Sequence, residues 1–284
     1  MEYFVYIATA IVIYCIANLA YAIPLGYTGL VNFGHVGLLA VGAYTAAILS
    51  LRGVPFLLAL LAAAGTTALA GLLLSLPSRR IKSDYYALVT LGFIFVVNSI
   101  ILNWTSLTGG PFGLSAIPRP EGFQTPEAFL FLAAVTLGCV ALFVQRVVHS
   151  PFGRALEAVR DDEEVAALLG KRVFKLKITA MVLSGMIAGI GGAYLAYFIR
   201  FINNQVFWLD LVVFLIAALV IGGLASFPGT LIGVILLFAL QEPMRFLPIS
   251  GAYLGPLRIM LWSFLLLLFV IFRPRGIMGR AELD

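Results

Sequence analysis

Any chemistry in this chain would have to come from few groups. Among its 284 residues are two histidines, two cysteines and 13 acidic side chains. His35 stands alone at the start of an apolar run, where a single imidazole reads more readily as a hydrogen-bonded interior group than as a ligand or proton relay. His149 follows another apolar run, and a cation is favoured at such a helix end. Cys15 and Cys139 lie inside apolar runs at no spacing that suits a disulfide or a metal pair, so they read as small hydrophobes. The chain has no His-Glu-x-x-His, no paired carboxylates and no Ser-His or Cys-His set, which argues against an intramembrane enzyme. Its Gly-Lys pair, Gly170-Lys171, runs on into Arg172 without the upstream glycine of a P-loop. If ATP drives this protein, another chain binds it, and no cofactor is expected.

The polar residues with the strongest claim to a role lie in stretches broken by Gly and Pro. One runs from Pro24 to Gly34 and holds Thr28, Asn32 and, just beyond, His35. The other runs from Gly222 to Gly229, and its Gly-Leu-Ala-Ser-Phe resembles the Gly-Leu-Val-Asn-Phe of the first. Broken segments at matching places in two halves point to a transport pathway. Irregular backbone at membrane depth is tolerated only against protein or a wet cavity. Thr28, Asn32 and His35 are therefore expected to line a translocation path. Asn32 and His35 fall one helical turn apart if a helix starts that early. A weakly polar lining lets a solute leave as well as enter. The alternative is that these residues only cap and pack helix ends.

A third candidate is the polar stretch 150–177. Asp161 can cap a helix, with Glu164 three residues on completing a capping-box-like pair. Gly170 followed by Lys171 makes a C-terminal stop. The expectation is a short helix of about two turns bearing Val165, Ala166, Leu168 and Leu169. An apolar patch on an exposed short helix suits docking of a partner; packing back on the chain's own bundle or the membrane surface is the alternative.

These groups need a scaffold that water does not surround. The chain is 62% hydrophobic and 11% charged, with a mean hydropathy of +1.07, whereas soluble domains are about 45–50% apolar and about 25% charged. Runs of roughly 3–22, 35–50, 55–76, 85–102, 129–148, 178–199, 209–225, 230–247 and 256–272 are long enough for membrane helices, about nine spans in all with a range of about 8–10. They lack the period-two alternation of barrel strands, so the fold class is all-α, a polytopic transmembrane bundle forming a single domain over 1–284. Ala20-Tyr21-Ala22 resembles a cleavage site, but Glu2 is the lone charge before the first run, so that run reads as an uncleaved span. Gly109–Gly113 reads as an irregular outer segment, a loop or a lid. Arg200 and Asp210 read as interfacial, and Glu242 and Arg245 can pair.

Arg79, Arg80 and Lys82, then the basic residues from Arg146 to Lys177, then Arg273, Arg275 and Arg280 mark three loops as cytoplasmic by the positive-inside rule. The N-terminus is then outside and the C-terminus inside. The net charge of +5 comes from these loops and gives no reason to expect nucleic acid.

The ordered motifs carry a resemblance. Gly29-Leu-Val-Asn-Phe-Gly-His35 with Gly42-Ala-Tyr-Thr45, Tyr86–Leu91, Asn103–Gly110 with Gly113-Leu-Ser115, Ser150-Pro-Phe-Gly-Arg-Ala155, Gly222-Gly-Leu224 and Phe272-Arg-Pro-Arg-Gly276 are together similar to the branched-chain amino acid permeases of ABC importers, on the LivM-like side of their paired subunits. The likeness covers about residues 24–279. It departs at Pro228, where a Gly- or Trp-type step is expected, and in a short N-terminus. The resemblance implies a multi-pass inner-membrane permease. Its partners would be a second homologous permease subunit, two ATP-binding subunits and an extracytoplasmic substrate-binding protein. Glu157-Ala158 followed by Gly170 resembles the family's coupling loop, which would assign ATPase coupling to Glu157, Ala158, Asp161, Val165, Leu168, Leu169 and Gly170. Branched-chain or other hydrophobic amino acids would be the cargo. Alternatives are a related permease for urea or short amides and an ion-coupled secondary transporter, against which the lack of mid-span charge counts.

Overall fold

A computed structural model describes residues 2–81, 83–246, 251–273 and 275–279. Every apolar run folds as a helix. These are α1 (Glu2–Ala22), α2 (His35–Leu51), α3 (Phe56–Ser75), α4 (Ser83–Asn103), α6 (Pro126–Val148), α9 (Val173–Ile199), α10 (Leu209–Gly222), α11 (Phe227–Gln241) and α12 (Gly251–Phe272). Eight helical stretches among the described residues have the length and apolarity to cross a membrane, and α2 is a shorter apolar helix beside them. Short helices α5 (Thr105–Thr108), α7 (Pro151–Asp161) and α8 (Glu163–Leu168) fill the connections.

Some boundaries differ from the sequence expectation. α9 begins at Val173 instead of 178, so Lys175 and Lys177 ride on the helix and not in the loop. α10 stops at Gly222 instead of 225, because Gly223 takes φ +115° and Ser226 then caps α11 by accepting the Gly229 N–H at 3.2 Å. Leu247, Lys82, Pro274 and Arg280, which the span, charge and motif readings used, lie outside the described residues, as does the Arg245 side chain of the expected Glu242 pair. The segment expected to be irregular has local structure: Gly110–Phe112 forms a 3-10 turn, and Leu114–Ser115 pairs antiparallel with Phe201–Ile202.

The centre of the bundle is α9, packed against α1, α2 and α3. Lipid-exposed helices gain no hydrophobic drive from meeting each other, so close approach through small residues takes its place. A Cβ on Gly192 would stand 2.1 Å from the Leu39 carbonyl oxygen, and one on Gly185 2.4 Å from that of Thr67. Gly192→Leu is therefore expected to remove most folded protein from the membrane, since overpacking alone costs about 1–3 kcal/mol and the atoms met are α2 backbone, which cannot swing aside as a side chain can. Gly65→Ala is the control, because a Cβ there meets nothing within 4 Å. Monodisperse yield after mild detergent extraction reads the difference.

Candidate coupling and translocation site

One end of the bundle gathers the broken segments, α7, α8 and the described tail. Ser150 caps α7, its hydroxyl accepting the N–H groups of Phe152 at 3.2 Å and Gly153 at 3.3 Å, with Pro151 at the first helical position. That cap turns the chain sharply after α6. Along α7, Gly153, Leu156 and Val159 face inward. Its Arg160 donates through Nη1 to the Gly26 carbonyl at 3.3 Å and through Nη2 to Asp161 at 2.7 Å.

The cap of the second short helix differs from expectation. Asp162, not Asp161, takes the role, its carboxylate accepting the N–H groups of Glu164 and Val165, both at 2.9 Å. Asp161 is instead the last residue of α7. The stretch 151–168 is thus two helices with an extended Asp162 between them, because Ser150-Pro151 starts a helix that the capping-box reading of Asp161 overlooked. Glu163 holds α8 to α9 by accepting from Lys177 at 2.6 Å, with the lysine side chain only 6% exposed. Gly170, with φ +78°, ends the unit as expected.

This anchoring aims α8 outward. Ala166 is buried, whereas Val165 is 48%, Leu168 86% and Leu169 73% exposed. The expected docking residues therefore split. Glu157 and Ala158 sit half-buried on α7, while Val165, Leu168, Leu169 and Gly170 face solvent. Glu157 shares a cavity of about 430 Å³ with Arg154, His149, Tyr27, Ser226 and Met278.

The two Gly-rich breaks meet at this end. A Cβ on Gly26 would lie 3.2 Å from the Ala225 nitrogen. Residues 275–279 close over the second break: Ile277 N–H donates to the Ile221 carbonyl at 2.9 Å and Met278 N–H to that of Gly222 at 3.0 Å. These bonds satisfy carbonyls left open where α10 ends. Sequence reading marked Phe272–Gly276 as a motif but missed this contact, since nothing local in the motif names its partner.

Thr28, Asn32 and His35 are placed inside the bundle, at 3%, 0% and 1% exposure. Thr28 donates to the Ile23 carbonyl at 2.9 Å, spanning the π-helical turn Ile23–Tyr27 that extends α1. Asn32 Nδ2 is 3.7 Å from Met181 Sδ. His35 Nε2 lies 3.1 Å from the Ala17 carbonyl, and its ring stacks on Tyr21 with centroids 4.6 Å apart. Because α2 starts at His35, Asn32 is not on that helix, and the one-turn relation expected between them does not hold. Asn32 Oδ1 and His35 Nδ1 are buried with no hydrogen-bond partner, as are Asn18 Oδ1, Tyr21 Oη and Ser184 Oγ. Such groups cost about 1–3 kcal/mol each unless water or a ligand meets them. Asn18 and Ser184 escaped the sequence reading because each is a single polar residue in an apolar helix.

The family described as branched-chain amino acid transport system / permease component matches residues 3–272. The chain is 35% identical to the high-affinity branched-chain amino acid transport permease LivM of Escherichia coli, over 96% of this chain and 69% of that protein. It is 25% identical to LivH of the same organism, over 95% and 92%. It is 34% identical to the autoinducer 2 import permease LsrC of Salmonella paratyphi B, over 52% and 42%. No solved structure matches it.

Proposed function

Because the chain belongs to the permease-component family of branched-chain amino acid transport systems, we propose that it is the membrane-spanning subunit of an ATP-driven importer of branched-chain or other hydrophobic amino acids. The observation that carries this reading is the family match across nearly the whole bundle. The geometry of α8 supports the ATP-driven part: a rigidly anchored helix presents Leu168 and Leu169 to solvent, an arrangement that contributes nothing to the monomer and suits docking on a hydrolytic subunit. ATP binding and substrate capture then belong to partners, namely two ATP-binding subunits, a second homologous permease and an extracytoplasmic binding protein. Substrate passes beside the cluster of Asn32, His35 and Thr28, where the orphaned Asn32 Oδ1 and His35 Nδ1 offer hydrogen bonds without a fixed charge. Affinity purification from native membranes is expected to bring down an ATP-binding subunit together with a second permease. A chain that purifies alone under conditions preserving other membrane complexes contradicts the reading.

The orientation belongs to the same proposal. The α7–α8 end carries the basic loops and faces the cytoplasm, which leaves the N-terminus outside. In a background with Cys15 and Cys139 replaced by alanine, a cysteine at Glu2 is expected to react with an impermeant maleimide in intact cells. A cysteine at Leu168 is expected to react only after permeabilisation. Equal labelling of the two in intact cells would overturn the topology.

A further inference from the structure

At the end of the bundle opposite α7 and α8 lies a cavity of about 480 Å³, between the first half of α12 and the ends of α1, α9, α10 and α11. Volumes of about 300–1,000 Å³ are those of small-molecule sites. Its floor is aromatic. Phe214 stands edge-on to Tyr14, Phe238 and Trp262, at 5.1, 5.6 and 5.0 Å between centroids. One helical turn above this floor each flanking helix carries a charge: Asp210 precedes Phe214 by four residues on α10, and Arg258 precedes Trp262 by four on α12. Residues four apart share a helix face.

The two charges line one cavity yet do not neutralise each other. The ion pairs formed among the described residues are Arg160–Asp161 and Lys177–Glu163. Asp210 Oδ1, Arg258 Nε and Trp262 Nε1 are all buried without a hydrogen-bond partner. Glu242, at the rim, is already engaged by the Tyr3 hydroxyl. An acceptor and two donors left open over an apolar floor, with separated opposite charges, complement one chemistry: a small zwitterion with an apolar tail.

We propose that this cavity binds a free α-amino acid, its ammonium at Asp210, its carboxylate at Arg258 and Trp262, and its aliphatic side chain against Phe214, Tyr14 and Phe238. This rests on the importer reading above and adds to it an entry site on the permease itself, ahead of the polar cluster around Asn32. Because Asp210 and Arg258 each retain partial solvent exposure, the charges hold the solute weakly enough to pass it on.

The test is equilibrium binding of radiolabelled leucine to the purified permease complex, without its binding protein, in phosphatidylglycerol nanodiscs. Two competitors each lack one charge: 4-methylpentanoate has no ammonium and 3-methylbutylamine no carboxylate. Saturable leucine binding is expected, with both competitors at least about tenfold weaker than unlabelled leucine, the factor that corresponds to loss of one modest charge contact. Asp210→Asn is expected to weaken leucine while leaving 4-methylpentanoate unchanged. Arg258→Gln is expected to weaken leucine while leaving 3-methylbutylamine unchanged. A merely structural effect moves all ligands together and overturns the site, as do competitors equal to leucine or no saturable binding by the wild type. A zwitterionic lipid headgroup has the same chemistry, so loss of leucine binding on exchange into phosphatidylethanolamine assigns the cavity to lipid and also overturns it. ATP-driven leucine uptake by the complete importer with no such binding removes this site but keeps the importer; binding without uptake does the reverse.

Discussion

Leu168→Asp is expected to leave the protein inserted and folded while ATP hydrolysis no longer drives transport. Leu168 is 86% exposed in the isolated chain, so a carboxylate there meets water and costs the fold nothing. The same carboxylate pressed into an apolar contact with another subunit costs at least several kcal/mol if it finds no partner. A loss of about 3 kcal/mol in docking is a factor of roughly a hundred. The geometry leaves α8 no easy escape. The Asp162 cap, the Lys177–Glu163 pair and the turn at Gly170 fix both its ends. Leu169→Asp, 73% exposed, is expected to behave alike. Glu164→Gln, in the first turn beside these residues, serves as a control for generic surface change. The readout is co-purification with the ATPase and substrate-stimulated hydrolysis at matched permease amounts. Full assembly and coupling in both aspartate variants would show that α8 is not the docking surface.

The second large effect is expected at Asn32, again without loss of folded protein. Asn32 is fully buried, its Oδ1 is orphaned and its Nδ2 has only a sulfur 3.7 Å away. Replacing it with leucine of similar size removes an unsatisfied polar group, which is neutral or stabilising. Folded protein should stay level or rise. Uptake should fall about tenfold if the side chain donates and accepts hydrogen bonds along the path, a loss of about 1.4 kcal/mol at the barrier. A packing role gives the reverse pattern, with less folded protein and normal uptake per molecule. That outcome would take Asn32 out of the pathway.

The membrane helices were legible because they rest on one-dimensional properties. A run such as 129–148 or 256–272 has no other way to satisfy its backbone and its apolar side chains. The Gly-Pro interruptions at 24–34 and 222–229 were legible for the same reason. The contact that joins them at Gly26 and Ala225 was not, since it depends on how α1 and α10 lie in space. The stretch 150–170 shows the limit at finer grain. Asp161, Asp162 and Glu164 permit two cap registers, and what selects Asp162 is the preceding helix begun by Ser150-Pro151. The buried polar residues proposed for the pathway were the least legible. Asn32 and His35 were visible as polar residues beside glycines, but Asn18 and Ser184, in the same plight inside the bundle, carry no local mark. Asp210 and Arg258 are 48 residues apart, and only the cavity between α10 and α12 brings them into one site.

The central claim is that this chain carries amino acids inward at the expense of ATP hydrolysed by its partners. Its most direct test is leucine accumulation in proteoliposomes containing this chain, its companion permease and their ATPase, with the binding protein outside and ATP inside. The predicted result is concentrative uptake that requires ATP, requires the binding protein and survives collapse of sodium and proton gradients. Uptake that follows an ion gradient without ATP, or no amino acid uptake by the fully assembled, ATP-hydrolysing complex, would contradict it.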